Sequence, residues 1–270
     1  MENRRKGNKN IPHRGRRKKK TIGMRISNII LIIAIAVLLF CAYKLFTIYN
    51  GYREGEKEYN NLQDVAIQNG DNDGPSIIID FEELWKINQD IRAWIRFDEP
   101  SIISYPVVQG RDNEQYLHET IGGADNTMGA IFINADNNPD FTDRHTLVYG
   151  HRMDNGAMFG KLDLYKQQSF WEENPYFYIY TPDGAEIRYK IVSAGTVSET
   201  DDVYMYSFAT DEQFEQFLGA VRRLAMYDTG TAATLSKDSQ IVTLSTCTAA
   251  NDTNRFVVCG VKDEIRRPKE

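Results

Sequence analysis

Two segments hold the side chains whose types and spacing suit nucleophilic chemistry. The first is QIVTLSTCTAANDTNRFVVCGV, residues 240–261. A β-rich run reaches Cys247, the polar loop TAANDTN follows, and a second β-rich run starts at Arg255. If these runs are adjacent antiparallel strands, the thiol and the guanidinium meet at one rim of a sheet. A cation near a thiol favours thiolate, the nucleophilic form. The same guanidinium could instead hold substrate or steady an oxyanion. On this segment alone, a small core residue is the competing role for Cys247. The second segment, RHTLVYGHRMDNGAMFGKL at 144–162, sets His151 just after a strand and the turn residue Gly150. A thiol nucleophile needs a partner for proton transfer, and imidazole is the usual one. The chain has four histidines. His13 lies in a basic tail, while His118 in EQYLHET and His145 beside Arg144 read as surface or capping residues. His151 is the best placed.

The elements that must position these groups are mostly strands. Runs rich in Val, Ile, Tyr and Phe, bounded by Gly, Pro, Asn or Asp, predict strands at 91–97, 103–108, 128–133, 146–149, 176–180, 187–197, 241–246 and 255–261. Apolar spacing predicts helices at 81–90, at about 157–170 and at 211–226, the last with Phe214, Phe217, Leu218, Val221 and Leu224 on one face. The expected fold is mainly β with added helices. Eight strands with short intervening helices suggest a closed eight-stranded β-barrel, with a helix at its N-terminal side and a helical insert before the penultimate strand.

The N-terminal part is of a different kind. Residues 1–25 hold 11 Lys or Arg against one acid, and the remainder holds 21 basic against 37 acidic residues. An acidic bulk domain excludes nucleic acid as the natural partner. ISNIILIIAIAVLLFCAY, 26–43, runs 18 residues without a charge, near the roughly 20 apolar residues that cross a bilayer as a helix. A signal peptide also follows a basic region. This stretch exceeds a signal h-region, however, and no clear A-x-A site follows it. The division expected is a basic cytoplasmic tail at 1–25, a transmembrane anchor at 26–49, a polar stalk at 50–79 and a catalytic domain at 80–270. The cluster RGRRKKK should stay cytoplasmic, which puts the domain outside the cell, with membrane lipid meeting the single N-terminal span. Cys41 falls in the anchor, as a lipid-facing or helix-packing residue. Cys247 and Cys259 make no disulfide framework. On a regular strand Cys259 pairs nearer Thr243 than Cys247, so it reads as a buried inert thiol. A zinc site lacks close ligand pairs. An acidic stretch at 136–143 could be considered for calcium, against a solvated loop.

TLSTC (243–247), Arg255 eight positions later and YGHRMDNGAMFGKL (149–162) resemble the signature segments of the sortase family, and class B in particular. INQDIRAWI (87–95), YPVVQGRDNEQYLHE (105–119) and GAIFINADNN (129–138) are similar to class B in order and spacing, as is the helical insert. The likeness spans roughly residues 80–262.

That resemblance implies a sortase-like barrel and a transpeptidase of the Gram-positive cell surface. By it, Cys247 attacks a C-terminal sorting signal of a secreted protein, His151 serves as acid and base, and Arg255 orients substrate or stabilises the oxyanion. The acceptor is an amine of a cell-wall precursor or, in some members, a pilin lysine. Tyr149, Ser245, Thr246, Asn113 and Leu117 match the substrate groove. Thr200, Tyr204 and Met205 resemble the wall receiving the signal's apolar residue, Met205 standing where Ile is commoner. Neither metal nor cofactor is implied. NPxTx-like and LPxTG-like signals stay open, the former favoured by the class B likeness. Competing readings are a pilin-polymerising enzyme, a surface cysteine protease with water as acceptor, and a non-enzymatic peptide-binding barrel.

Overall fold

A computed structural model of the chain describes residues 22–70, 74–97, 103–247 and 253–268. The basic tail before Ile22 and most of the loop after Cys247 lie outside the described residues. The chain divides into two compact units, one to Thr47 and one from Ile48 onward.

Helix α1 runs Ile22–Ala66. Its most apolar 18-residue stretch has mean hydropathy 2.8 and none of it is buried, so α1 is long and apolar enough to cross a membrane. In the second unit, α1 packs as part of the fold. Tyr59, Leu62 and Ala66 are buried in the main core. Tyr59 Oη donates to the Gly129 carbonyl at 2.7 Å, and Gln63 Nε2 donates to Ser104 O at 2.8 Å. A short antiparallel ribbon follows, β1 (Ile67–Asn69) with β2 (Ile77–Ile79). The segment read as a stalk from its polar composition is thus partly a packed helix and partly a ribbon. Four buried apolar positions, Tyr59, Leu62, Ala66 and Ile77, are enough to dock it, and they do not alter its average polarity.

The remaining elements in chain order are α2 (Phe81–Ile87), β3 (Ile91–Phe97), β4 (Ser104–Val108), α3 (Gln115–His118), β5 (Ile131–Ile133), β6 (His145–His151), α4 (Gln168–Glu173), β7 (Tyr176–Tyr180), β8 (Glu186–Ser198), α5 (Asp211–Leu224), β9 (Ile241–Cys247) and β10 (Asn254–Arg266). Eight strands close a barrel in the order β10-β8-β7-β3-β4-β5-β6-β9. The pairings are antiparallel except β4 with β5 and β6 with β9, which are parallel. The expected strand at 128–133 shortens to Ile131–Ile133, because Gly129 takes a left-handed φ of 56° and turns the chain before it. The helical patch expected at 157–170 is a 3-10 turn over Gly160–Lys166 followed by α4.

Strand alternation sorts the core into two layers. Val148, Val242, Leu244 and Val258 point into the barrel with Trp94, Ile131 and Phe177. Ile241 and Cys259 point outward under α5, against Phe214, Phe217, Leu218 and Val221. Those four recur at helical spacing, so α5 buries one stripe on the barrel wall. Thr210 caps its first turn, accepting from Gln213 N, and Arg222 and Arg223 lie at its C-terminal end. Arg144 at the head of β6 fastens α5 further. It lies 3.8 Å over the Phe214 ring and pairs with Asp211 at 3.0 Å.

Candidate active site

β6 and β9 run in register from His145↔Ile241 to His151↔Cys247. Neighbouring strands lie about 4.8 Å apart, so the backbones of His151 and Cys247 meet at one rim. On the far side of β9, β10 pairs antiparallel through Val257↔Ser245. Two further positions along each strand bring Arg255 level with Cys247. Arg255 also pairs with Val197 of β8. His151, Cys247 and Arg255 therefore stand on three consecutive strands at the same end of the barrel.

The His151 ring is half-buried, with Nε2 2.7 Å from the Leu117 carbonyl. A carbonyl only accepts, so Nε2 carries the proton and Nδ1 is the basic nitrogen of the neutral ring. Burial pushes the imidazole below its ordinary pKa; the Leu117 bond opposes this, and His118 lowers it again. Neutral imidazole is the form that can take a thiol proton. Backbone fixes the ring's place. Phe159 N donates to His151 O at 2.9 Å, and a Cβ on Gly129 would stand 3.0 Å from His151 Cδ2.

Arg255 is oriented by a carboxylate, its Nη2 lying 3.1 Å from Glu199 Oε2. Glu199 is itself tied to the start of β10, its N donating to Thr253 O at 3.1 Å. Glu199 carries no mark of its role in the local sequence. Its place opposite Arg255 follows from the β8–β10 register, which the sequence leaves open.

A cavity of about 310 Å³ opens at this rim, and Asn113, Leu117, Tyr149, Tyr204, Ser245 and Arg255 line it. Tyr204 Oη lies 2.9 Å from Ser245 Oγ. Asn113 Oδ1 accepts from Ala135 N at 2.8 Å, which fixes the loop carrying it. Phe132, Glu199 and Tyr206 line the cavity too, without having been foreseen. Phe132 packs on Tyr149 with ring centroids 5.3 Å apart, and Tyr206 Oη donates to Asp136 Oδ2 at 2.9 Å.

Three expected groove residues do not line it. Thr246 is fully buried on the opposite face from Ser245, where its hydroxyl donates to Phe256 O and accepts from Phe256 N. The two-residue repeat of a strand puts it there. Thr200 is exposed and bonds Ser198 Oγ. Met205 packs against the apolar layer under α5. His145, read as a surface or capping residue, is fully buried instead. Its strand alternation turns it under α5, a contact invisible from the local sequence.

Cys259 is as expected: buried, opposite Thr243, with its pKa raised by burial to about 11. Among the described residues no group of three or more His, Cys, Asp or Glu is arranged to hold a metal. In the acidic 136–143 loop, Asp143 accepts from Asn137 Nδ2 and from Asn138 N and Nδ2.

The model of the sortase domain matches residues 98–263. The chain belongs to the sortase family. It is 29% identical over 236 residues to sortase B of Staphylococcus aureus, covering 87% of this chain and 95% of that protein. It is 30% identical over 185 residues to sortase B of Listeria monocytogenes, covering 67% of this chain and 73% of that one. A crystal structure of sortase B from Bacillus anthracis in complex with AAEK1 aligns with a TM-score of 0.70 at 29% identity, covering 82% of this chain and 100% of that one. A Staphylococcus aureus sortase B–substrate complex aligns with a TM-score of 0.64 at 30% identity, covering 68% and 84%. The kinship is with class B sortases, and with it comes their activity type: a cysteine transpeptidase that transfers acyl groups. The closed barrel with its helices is the class B sortase fold.

Proposed function

We propose that this sortase is anchored in the cell membrane through α1, with its N-terminus cytoplasmic and the barrel outside. In this reading it cleaves the C-terminal sorting signal of secreted proteins and passes the acyl group to an amine of the cell-wall precursor. The domain division is a tail at 1–25, an anchor at 26–49, a connecting segment at 50–79 and a catalytic domain at 80–270. The observation that carries the reading is the shared rung of His151 and Cys247, with Arg255 level on the next strand.

His151 Nδ1 takes the Cys247 thiol proton, and the thiolate attacks the scissile carbonyl carbon. Arg255 donates to the developing oxyanion; a guanidinium keeps its proton and cannot serve as base. The carbon–nitrogen bond breaks, and the leaving amine takes the proton from His151. The incoming amine then attacks the thioester, gives a proton to His151, and expels the thiolate, which is reprotonated. The groove between Tyr149, Tyr204 and Ser245 receives the signal, Asn113 and Leu117 bordering it. An NPxTx-like signal is the form favoured by the kinship.

The test is mass spectrometry of products from a sorting-peptide library with mixed amine acceptors. Amine-ligated peptide made by the wild type and absent with Cys247→Ala is expected. Hydrolysed product alone points to a protease, ligation to lysine side chains alone to pilin polymerisation, and undiminished cleavage by Cys247→Ala refutes the thiol mechanism.

A further inference from the structure

A hydrogen-bonded chain runs beneath the groove wall. His145 opens β6, fully buried, with its ring 4.2 Å from that of Phe217 between centroids. Its Nδ1 is 2.7 Å from the Met205 carbonyl and its Nε2 is 2.8 Å from Thr243 Oγ1. Thr243 Oγ1 lies 3.4 Å from Cys259 Sγ. The last acceptor assigns every proton. A carbonyl cannot donate, so Nδ1 holds the ring proton. The Nε2 of a neutral ring then accepts, so the Thr243 hydroxyl donates to it. The Thr243 oxygen is left to accept from the Cys259 thiol.

This chain bears on the groove through its first member. Met205 follows Tyr204, whose hydroxyl meets Ser245, and Ser245 lies two residues beyond Thr243 on β9. The segment Asp202–Met205 is therefore pinned to β9 at two levels. Tyr204 holds it to Ser245 at the groove, and below it Met205 is held by the His145 ring, whose own backbone shares a rung with Ile241 of β9 and whose orientation Thr243 supports. A buried imidazole that loses either partner keeps an unmet polar group, so the two bonds are held together. Burial keeps the ring neutral through the neutral pH range, its pKa lying near 4.

We propose that His145 is a positioning residue for substrate selection: it sets the spacing between the Tyr204 wall and β9, and so the width offered to the sorting peptide. This rests on the groove reading above. The ring touches no substrate, so the effect falls on peptide binding.

The test compares His145→Asn, whose amide nitrogen stands near the place of Nδ1, with His145→Gln, whose amide reaches the place of Nε2. His145→Gln should raise KM for the sorting peptide roughly tenfold, as for one lost buried bond, with kcat nearly kept. His145→Asn, which keeps the Met205 bond, should rescue most of that KM. Nitrogen-15 NMR of the unmutated protein at neutral pH should show the proton on Nδ1. A proton on Nε2, equal KM in the two variants and the wild type, or a loss confined to kcat overturns the inference. If the wild type cleaves no sorting peptide, the groove reading fails instead, and the NMR result still reports the state of the chain.

Discussion

His151 and Cys247 form the last rung of the parallel ladder between β6 and β9. Each is therefore carried by hydrogen-bonded backbone rather than by a free loop. Rigid supports of this kind hold reacting groups to the tolerances catalysis needs. Removing the His151 imidazole by His151→Ala should lower the rate of peptide cleavage by about 10²–10⁴-fold, the usual worth of general acid–base catalysis. Single-turnover kinetics with a quenched peptide would measure it, and a loss under threefold would remove His151 from the proton transfer.

Glu199 and Arg255 are an ion pair whose carboxylate is half exposed, with 53% of that side chain accessible. Such pairs add only about 0–1 kcal/mol to stability. Glu199→Ala should leave Tm nearly unchanged. It should lower kcat/KM about threefold to tenfold, through loss of one charge-assisted bond that aims the guanidinium. The check is a double-mutant cycle: on an Arg255→Ala background, Glu199→Ala should have no further effect on kcat/KM. Additive losses would show that Glu199 acts elsewhere.

Gly129 is required by its surroundings. At its φ of 56°, an added Cβ would stand 2.5 Å from Tyr116 O, 2.9 Å from Leu117 O and 3.0 Å from His151 Cδ2. Gly129→Ala should cost about 1–3 kcal/mol of stability through backbone strain. It should also lower kcat by displacing the Leu117 carbonyl that holds His151 Nε2. Urea unfolding and peptide kinetics on the same sample separate the two effects. Unchanged kcat would mean that the Leu117 contact does not set the ring.

Leu62 is 3% exposed, in a stretch whose composition reads as a linker. In a fragment beginning at Ile48, Leu62→Ala should cost about 2–5 kcal/mol, the range for a truncated core side chain. A cost near zero, by urea unfolding, would restore the stalk reading.

His145 makes stability depend on pH. Burial lowers its pKa from 6.5 to about 4, against the opposing pull of the Met205 bond and Asp143. Between these values the unfolded chain binds a proton that the folded chain refuses. The stabilising contribution is thus complete above pH 6.5 and is lost as pH falls toward 4. Tm should fall across that window more steeply in the wild type than in His145→Asn, which has no imidazole to titrate. Equal slopes by calorimetry would contradict the burial.

Most barrel strands and the chemical types of the site can be read in the chain without its fold. Strand runs such as Ile91–Phe97 and Tyr176–Tyr180 were legible to the residue, because β-branched and aromatic side chains bounded by turn residues leave few alternatives. The order thiol, loop, guanidinium and the separate imidazole were legible too, as was Cys259 opposite Thr243, since each follows from local spacing. Which strands are neighbours, and so which residues share a rung, depends on how the barrel closes. The parallel pairing of β6 with β9 joins segments almost a hundred residues apart, and no local pattern encodes it. The closed barrel and the helices on it likewise set the partner of Arg255 in Glu199, through the β8–β10 register, the burial of His145 under α5 and the docking of a polar-looking helix through Tyr59 and Leu62. A side chain's environment is set by what packs across from it, and that is a property of the closed barrel rather than of any stretch of the chain.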